Sequence, residues 1–260
     1  MRFGVCAAQN TAAILADSGY DYIELSVAGD LNPNLSDHDW LEIAHGITRM
    51  PLCAEAFNSF VRSARIVGPD VDFPHLAHYV SVAAARASSV GGSIIVFGSG
   101  SARQIPEGYN AELASTQLQD FLNLCGDEGA KHEVTIVIEP LCARECNSIN
   151  FVSQGADLAR KTGKPYLMAL ADTYHMEAEN EPIDAIIAAA DVLCHVHTAD
   201  TDRYAPGTGI YDHVAMFKAL RAARYDSRLS VECGWQDRLG EQAAASLDHL
   251  KRAIATAHQA

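Results

Sequence analysis

Four side chains in the second half of the sequence have the types and positions of metal ligands. Glu139, Asp172, His197 and Glu232 each follow or close a short run of apolar and β-branched residues. A carboxylate beside such a run is costly to bury unless a partner offsets its charge. Three carboxylates and one imidazole form an oxygen-rich donor set, which suits Mn²⁺, Co²⁺ or Mg²⁺ and also accepts Zn²⁺. The pattern predicts a metal site, and the alternative is a cluster of structural ion pairs.

Eight short runs predict β-strands, and a stretch with helical periodicity follows each of them. No glycine-rich dinucleotide motif follows the first run, which counts against an open doubly wound sheet, the alternative architecture. The alternation therefore predicts an α/β fold, a single (β/α)8 TIM barrel over residues 1–260. The predicted strands are 2–6, 22–27, 51–57, 93–98, 134–141, 166–171, 192–198 and 228–233. The predicted helices are 11–18, 37–47, 75–88, 111–130, 151–162, 182–190, 212–223 and 241–258.

In a parallel barrel the working residues lie at the carboxyl ends of the strands, so the four candidates should meet at one mouth. His195 shares strand parity with His197 and lies one layer deeper. We interpret it as a core histidine or as a donor behind the ligands. Cys6, Glu24 and Glu55, on the first three predicted strands, are interpreted as ordinary residues at the top of the barrel, and the alternative is that they line the pocket.

The composition narrows the class of partner. The 260 residues carry 19 Lys and Arg against 33 Asp and Glu, which gives a formal net charge of −14. An acidic protein is not expected to bind nucleic acid or an anionic membrane. Neither a secretory leader nor a run of ~18 apolar residues that could span a membrane is visible. Seven scattered cysteines do not form a disulfide framework, so we expect a reduced, cytoplasmic protein.

Longer motifs around these strand ends occur together and in order. They are Phe97-Gly98-Ser99-Gly100-Ser101-Ala102-Arg103, Glu139-Pro140-Leu141, Asp172-Thr173-Tyr174-His175-Met176, His195-Val196-His197-Thr198-Ala199-Asp200 with Arg203, Pro206-Gly207-Thr208-Gly209, and Val231-Glu232-Cys233. The set resembles the xylose isomerase-like barrel superfamily. Within it, the sequence is most similar to the branch of D-tagatose 3-epimerase and D-psicose (allulose) 3-epimerase. The resemblance covers the second half of the sequence, and the barrel layout covers the rest.

The resemblance implies a metal-dependent epimerase or isomerase that acts on a small keto-sugar or a related polyol. Glu139, Asp172, His197 and Glu232 would bind one divalent metal ion, with Mn²⁺ as the first expectation. Glu139 and Glu232 would also move a proton at the carbon next to the ketose carbonyl, one from each face, through a metal-stabilised enediolate. Members of this branch are often dimers or tetramers, so a homo-oligomer is expected.

The resemblance also implies three substrate-binding residues, Glu145, His175 and Arg203. One loop departs from the family pattern Glu-Pro-Leu-Asn-Arg-x-Glu, because Cys142 and Ala143 occupy the asparagine and arginine positions. This departure leaves open a dehydratase or lyase that acts on a keto-inositol or C-glycoside-type substrate. Two other functions of such a barrel are alternatives. An apurinic endonuclease would need a basic face and more histidine ligands than this sequence offers. A sugar-binding barrel without catalysis would bind its ligand but exchange no substrate proton.

Overall fold

Eight parallel strands close into a barrel in the computed structural model, which describes residues 1–259. Each strand pairs with the next one along the chain, and the last pairs with the first. The predicted (β/α)8 barrel is confirmed. The strands are β1 Arg2–Cys6, β2 Tyr22–Ser26, β3 Ala54–Asn58, β4 Ile94–Phe97, β5 Thr135–Ile138, β6 Leu167–Asp172, β7 Leu193–Thr198 and β8 Arg228–Val231.

Helices surround the strands, and the main apolar core lies between the two layers. The helices are α1 Ala12–Asp17, α2 Asp37–Thr48, α3 Phe73–Ser89, α4 Gly100–Arg103, α5 Ala111–His132, α6 Val152–Thr162, α7 Thr173–Ala178, α8 Ala185–Ala188, α9 His213–Ala222 and α10 Leu239–Gln259. The predicted helix 182–190 is too long, since only α8 is helical there. Proline cannot donate a backbone hydrogen bond, and the carbonyl of Pro182 caps a tight turn with the Ala185 N–H.

Strand alternation directs the predicted ligands toward the barrel axis. Val137 and Leu170 belong to a small apolar cluster that is separate from the main core. Residues two apart on a strand share a face, so Glu139 and Asp172 point the same way as these two side chains. The apolar interior therefore ends at its carboxyl side in a layer of charged groups.

Two further features bear on the setting of the protein. No helix within residues 1–259 is long and apolar enough to cross a membrane. All seven cysteines carry free thiols.

Candidate active site

A cavity of about 560 Å³ opens at the carboxyl ends of the strands. Seven residues were predicted to form the site, and five of them line this cavity: Glu139, Glu145, His175, Arg203 and Glu232. The other two, Asp172 and His197, are buried next to these carboxylates. The barrel therefore brings all seven predicted residues to one place.

His197 lies close to the other three predicted ligands. Its Nδ1 atom is 3.2 Å from Oε1 of Glu139 and 3.5 Å from Oε2 of Glu232. One donor atom from each of Glu139, Asp172, His197 and Glu232 lies within 4.8 Å of the other three. These distances allow one small ion to contact all four side chains after modest movement.

Glu139 reaches this position because residue 98 has no side chain. A Cβ atom on Gly98 would lie 2.2 Å from Oε2 of Glu139. The Glu139 carbonyl oxygen accepts a hydrogen bond of 2.9 Å from Nη2 of Arg103, a fully buried guanidinium. The segment that follows β4 therefore holds the backbone of Glu139 and leaves room for its carboxylate.

Asp172 has one oxygen in use and one without a partner. Oδ1 accepts the backbone N–H of Tyr174 at 2.8 Å, at the start of α7. Oδ2 is buried and has no hydrogen-bond partner among the described residues. Burial raises the pKa of Asp172 to about 6; the charge of His175 opposes this shift, and the charges of Glu232 and Glu139 add to it. A buried carboxylate oxygen without a donor is costly, which favours a ligand at this point.

The charge balance of the site fits a divalent cation. Glu139, Asp172 and Glu232 place three carboxylates around one imidazole. The guanidinium of Arg203 contacts Glu232, with 2.7 Å between Nη2 and Oε2. Arg203 and a protonated His197 offset at most two of the three mostly buried carboxylates, which repel one another strongly. The donor types and the free oxygen of Asp172 fit a divalent cation at this point.

The pKa values of Glu232 and His197 shift in opposite directions. Burial alone would raise the pKa of Glu232, but the hydrogen bond and charge of His197, together with Arg203, lower it to about 2. Burial alone would lower the pKa of His197, but the charge of Glu24 and further contacts raise it well above its ordinary value. Without a metal ion, these shifts favour an ionised Glu232 and a protonated His197.

Arg203 connects two carboxylates across the cavity. Besides Glu232, it approaches Glu145, with 3.4 Å between Nη1 and Oε1. Its guanidinium also lies over the ring of Tyr174, 4.8 Å from the centroid. The backbone φ angles are 61° at Asp202 and 62° at Arg203, in the left-handed region that residues with side chains rarely adopt. This strained turn places the guanidinium over the cavity.

The loop that carries Arg203 is organised by Asp200. The carboxylate of Asp200 accepts backbone N–H groups from Thr201 at 2.9 Å, Gly207 at 2.7 Å and Tyr211 at 2.9 Å. A Cβ atom on Gly209 would lie only 2.4 Å from Oδ1 of Asp200. The Pro-Gly-Thr-Gly motif therefore lets the backbone fold closely around one buried carboxylate.

His175 is held by the main chain of the loop that departs from the family pattern. The backbone N–H of Cys142 donates to Nδ1 of His175 at 3.1 Å. When Nδ1 accepts a hydrogen bond, the neutral ring carries its proton on Nε2. Nε2 is 3.7 Å from Oδ2 of Asp172 and has no hydrogen-bond partner in the described chain, so it can donate to a substrate oxygen. Because the contact comes from the backbone, it does not depend on the side chain at position 142.

Glu24 is a site residue that the sequence analysis considered only as an alternative and left out of the predicted site. It is fully buried, and its carboxylate lies 2.9 Å from Nε2 of His195 and 3.0 Å from Nε2 of His197. Its interpretation as an ordinary residue at the top of the barrel is wrong, whereas the contact agrees with His195 as a donor behind the ligands. Strand parity offered a signal, because Glu24 shares its face with Tyr22, which belongs to the interior cluster.

Comparison with known protein families adds an independent observation. The family profile described as xylose isomerase-like TIM barrel matches residues 12–253. The chain belongs to this family. The resemblance inferred from the motifs is confirmed, and the match extends it to the first half of the sequence.

Curated relatives align with part of the chain. A 3-dehydro-D-guloside 4-epimerase from Escherichia coli (strain K12) is 29% identical over 116 residues, which cover 44% of this chain and 44% of that protein. An L-ribulose 3-epimerase from Mesorhizobium japonicum is 35% identical over 100 residues, which cover 38% of this chain and 34% of that protein. The chain thus matches less than half the length of these relatives.

Solved structures align over nearly the whole chain. A structure of D-psicose 3-epimerase with D-tagatose, from Clostridium cellulolyticum H10, superposes with a TM-score of 0.83 and 19% sequence identity. The superposition covers 98% of this chain and 99% of the other. At this level of identity the likeness shows the shared fold alone.

Proposed function

We propose that the protein is a metal-dependent sugar epimerase or isomerase that moves a proton at the carbon next to a ketose carbonyl. The observation that carries this proposal is that Glu139 and Glu232 line the same cavity, both close to Nδ1 of His197. Two carboxylates in one cavity allow a proton to leave from one face of a carbon and return to the other, which inverts the centre. The epimerases among the curated relatives support this class of reaction.

In this proposal Glu139, Asp172, His197 and Glu232 hold one divalent metal ion. Oxygen-rich donors favour Mn²⁺, with Co²⁺, Mg²⁺ and Zn²⁺ as alternatives. When bound, the ion supplies positive charge that stabilises the enediolate left by proton removal. The unpartnered oxygen of Asp172 and the excess of buried negative charge support the assignment.

Glu139 and Glu232 would be the catalytic residues, and Arg203 would control the basicity of Glu232. The 2.7 Å contact from Arg203 helps to keep the pKa of Glu232 near 2, where a carboxylate is a weak base. A substrate oxygen that accepts the Arg203 hydrogen bond in place of Glu232 would raise that pKa and strengthen the base. Glu145 and His175, which also line the cavity, would bind further hydroxyl groups of the substrate.

We also propose a domain organisation, a class of partner, a compartment and an oligomeric state for the protein. Residues 1–260 would form one domain that acts on a small keto-sugar or related polyol, without nucleic acid or membrane as a partner. It would work in the cytoplasm as a homodimer or homotetramer. The free thiols of all seven cysteines support a reducing compartment, and the net charge of −14 supports the exclusion of nucleic acid.

An experiment in heavy water separates the proposed reaction from its alternatives. Metal-loaded protein incubated with a panel of ketoses and keto-inositols should interconvert one pair of epimers and introduce deuterium at the carbon next to the carbonyl. NMR identifies both the product and the labelled carbon. Loss of water or of an aglycone would indicate a dehydratase or lyase instead. Binding without deuterium incorporation would indicate a sugar-binding protein.

Metal affinity should fall as the pH is lowered. Asp172, with a pKa of about 6, and His197, with a pKa well above its ordinary value, must both lose their protons to bind metal. We expect binding to release protons, and the number released to rise as the pH falls through about 6, where Asp172 becomes protonated as well. Glu232, with a pKa of about 2, adds none in this range. Calorimetric titration between about pH 5 and 8 measures the released protons, and a pH-independent affinity would contradict the ligand assignment.

A further inference from the structure

A buried hydrogen-bond network lies inside the barrel next to the predicted ligands, with Glu24 at its centre. Oε1 of Glu24 is 3.0 Å from Nε2 of His197, and Oε2 is 2.9 Å from Nε2 of His195. The hydroxyl of Ser230 donates to Oε2 at 2.6 Å, and its oxygen is 2.8 Å from the hydroxyl of Tyr22. All five side chains are fully buried. Three donors thus surround a carboxylate that would otherwise be costly to bury.

The direction of these hydrogen bonds follows from the chemistry of an ionised carboxylate. A carboxylate only accepts, so Nε2 of His197 must carry the proton in the contact with Glu24. In the neutral ring, Nδ1 is then the nitrogen with a free lone pair. Nδ1 is also the atom that faces Glu139 and Glu232, at 3.2 and 3.5 Å. The two sides of the His197 ring therefore have different partners and different tasks.

We propose that Glu24 is a positioning residue that fixes the tautomer and ring orientation of His197, so that Nδ1 is the metal-binding atom. The inference rests on the proposed metal site and adds a residue outside its four ligands. A carboxylate behind a histidine ligand also makes the ligating nitrogen more basic, and loss of such a partner typically weakens metal affinity by about 10- to 100-fold. Glu24 does not touch the substrate in this proposal, so it acts through His197.

Glu24, His195 and His197 are themselves a group of metal-ligand types close enough to hold a cation. Their geometry favours hydrogen bonds instead. The two N···O distances of 2.9 and 3.0 Å are those of N–H···O hydrogen bonds, and the single carboxylate offers an ion fewer anionic oxygens than Glu139, Asp172 and Glu232 offer. The network therefore supports the ligands and does not form a second centre.

The variant Glu24→Gln tests this role with almost no change in shape. Its amide oxygen can still accept a hydrogen bond from one histidine N–H group. Its NH₂ group would face the N–H group of the other histidine and cannot accept a hydrogen bond from it. We expect affinity for Mn²⁺ and Zn²⁺, measured by competition with a chromophoric chelator, to fall about 10- to 100-fold. Affinity equal to that of the unsubstituted protein would overturn the inference.

Glu55→Gln is the matched control. Glu55 is a barrel carboxylate on β3 that binds Arg2 and Arg228, with 2.6 Å between Nε of Arg228 and Oε2. It makes no hydrogen bond or ion pair with either histidine in the described chain. The loss of its charge should leave metal affinity unchanged. A decrease as large as that of Glu24→Gln would show a general effect of barrel charge and would overturn the specific role of Glu24.

A measurement on the unsubstituted protein keeps the inference testable if the variant fails to fold. In Zn²⁺-loaded protein with ¹⁵N-labelled histidine, NMR should show the metal on Nδ1 of His197 and a slowly exchanging, downfield proton on Nε2. Metal on Nε2, or two bound ions per chain, would overturn the inference. If the unsubstituted protein binds no metal, the proposed function fails instead, so the two failures are distinguishable.

Discussion

The variants Glu139→Gln and Glu232→Gln should each stop the interconversion of epimers. Inversion needs one carboxylate to remove the proton and another to return it on the opposite face, and glutamine can do neither. General acid–base catalysis contributes about 10²- to 10⁴-fold per positioned group, so each variant should lose at least that much in kcat. The substitution keeps the size of each side chain, so the effect reports on chemistry more than on packing.

The two variants should differ in the exchange that remains. In Glu232→Gln, the intact Glu139 should still exchange with heavy water the proton of the epimer that faces it. In Glu139→Gln, the intact Glu232 should exchange the proton of the other epimer. Because both residues are also predicted ligands, each assay needs saturating metal and a measured metal content. Glu145→Gln, a cavity carboxylate outside the ligand set, is the control that should raise KM and retain exchange from both faces. Net epimerisation by either catalytic variant would contradict the two-base mechanism.

The predicted ligands could be found from the sequence because they depend on local pattern and one general rule. Strand alternation decides that Glu139 and Asp172 point into the barrel, and the barrel topology places all strand ends at one mouth. Once the eight strands are recognised, no side-chain contact has to be known to group these residues. The same reasoning placed His197 above His195.

The supporting contacts could not be predicted because they depend on distances across the closed barrel. Glu24 and His197 are 173 residues apart in sequence, and they meet only because the closed barrel directs side chains of β2 and β7 into the same interior. The orientation of His175 depends on the backbone N–H of Cys142, which the identity of the side chain does not reveal. The length of the short helix α8 depends on which backbone groups form the hydrogen bonds of the turns on either side of it. Such features follow from tertiary structure and not from periodicity.

Gly98→Ala should slow the reaction strongly without removing any side chain of the site. The backbone at Gly98 lies outside the left-handed region, so alanine meets no conformational barrier there. Its Cβ atom would lie 2.2 Å from Oε2 of Glu139 and would push the carboxylate by about 1 Å to reach an ordinary contact distance. A displacement of this size can cost about 10²-fold in rate, and we expect a similar loss in kcat together with weaker metal binding. The thermal midpoint should change little, because the group that moves is the end of a flexible side chain.

Two comparisons decide whether the loss caused by Gly98→Ala acts through Glu139. Gly240→Ala is the control, because no other atom lies within 4 Å of its added Cβ and alanine favours the helix α10, so activity and stability should be kept or improved. In a Glu139→Gln background, Gly98→Ala should cost little more, since the carboxylate that it displaces is already absent. Effects of residues in direct contact are not additive in this way when one acts through the other. Fully additive losses, or normal activity in Gly98→Ala, would show that the position of the Glu139 carboxylate does not limit the reaction.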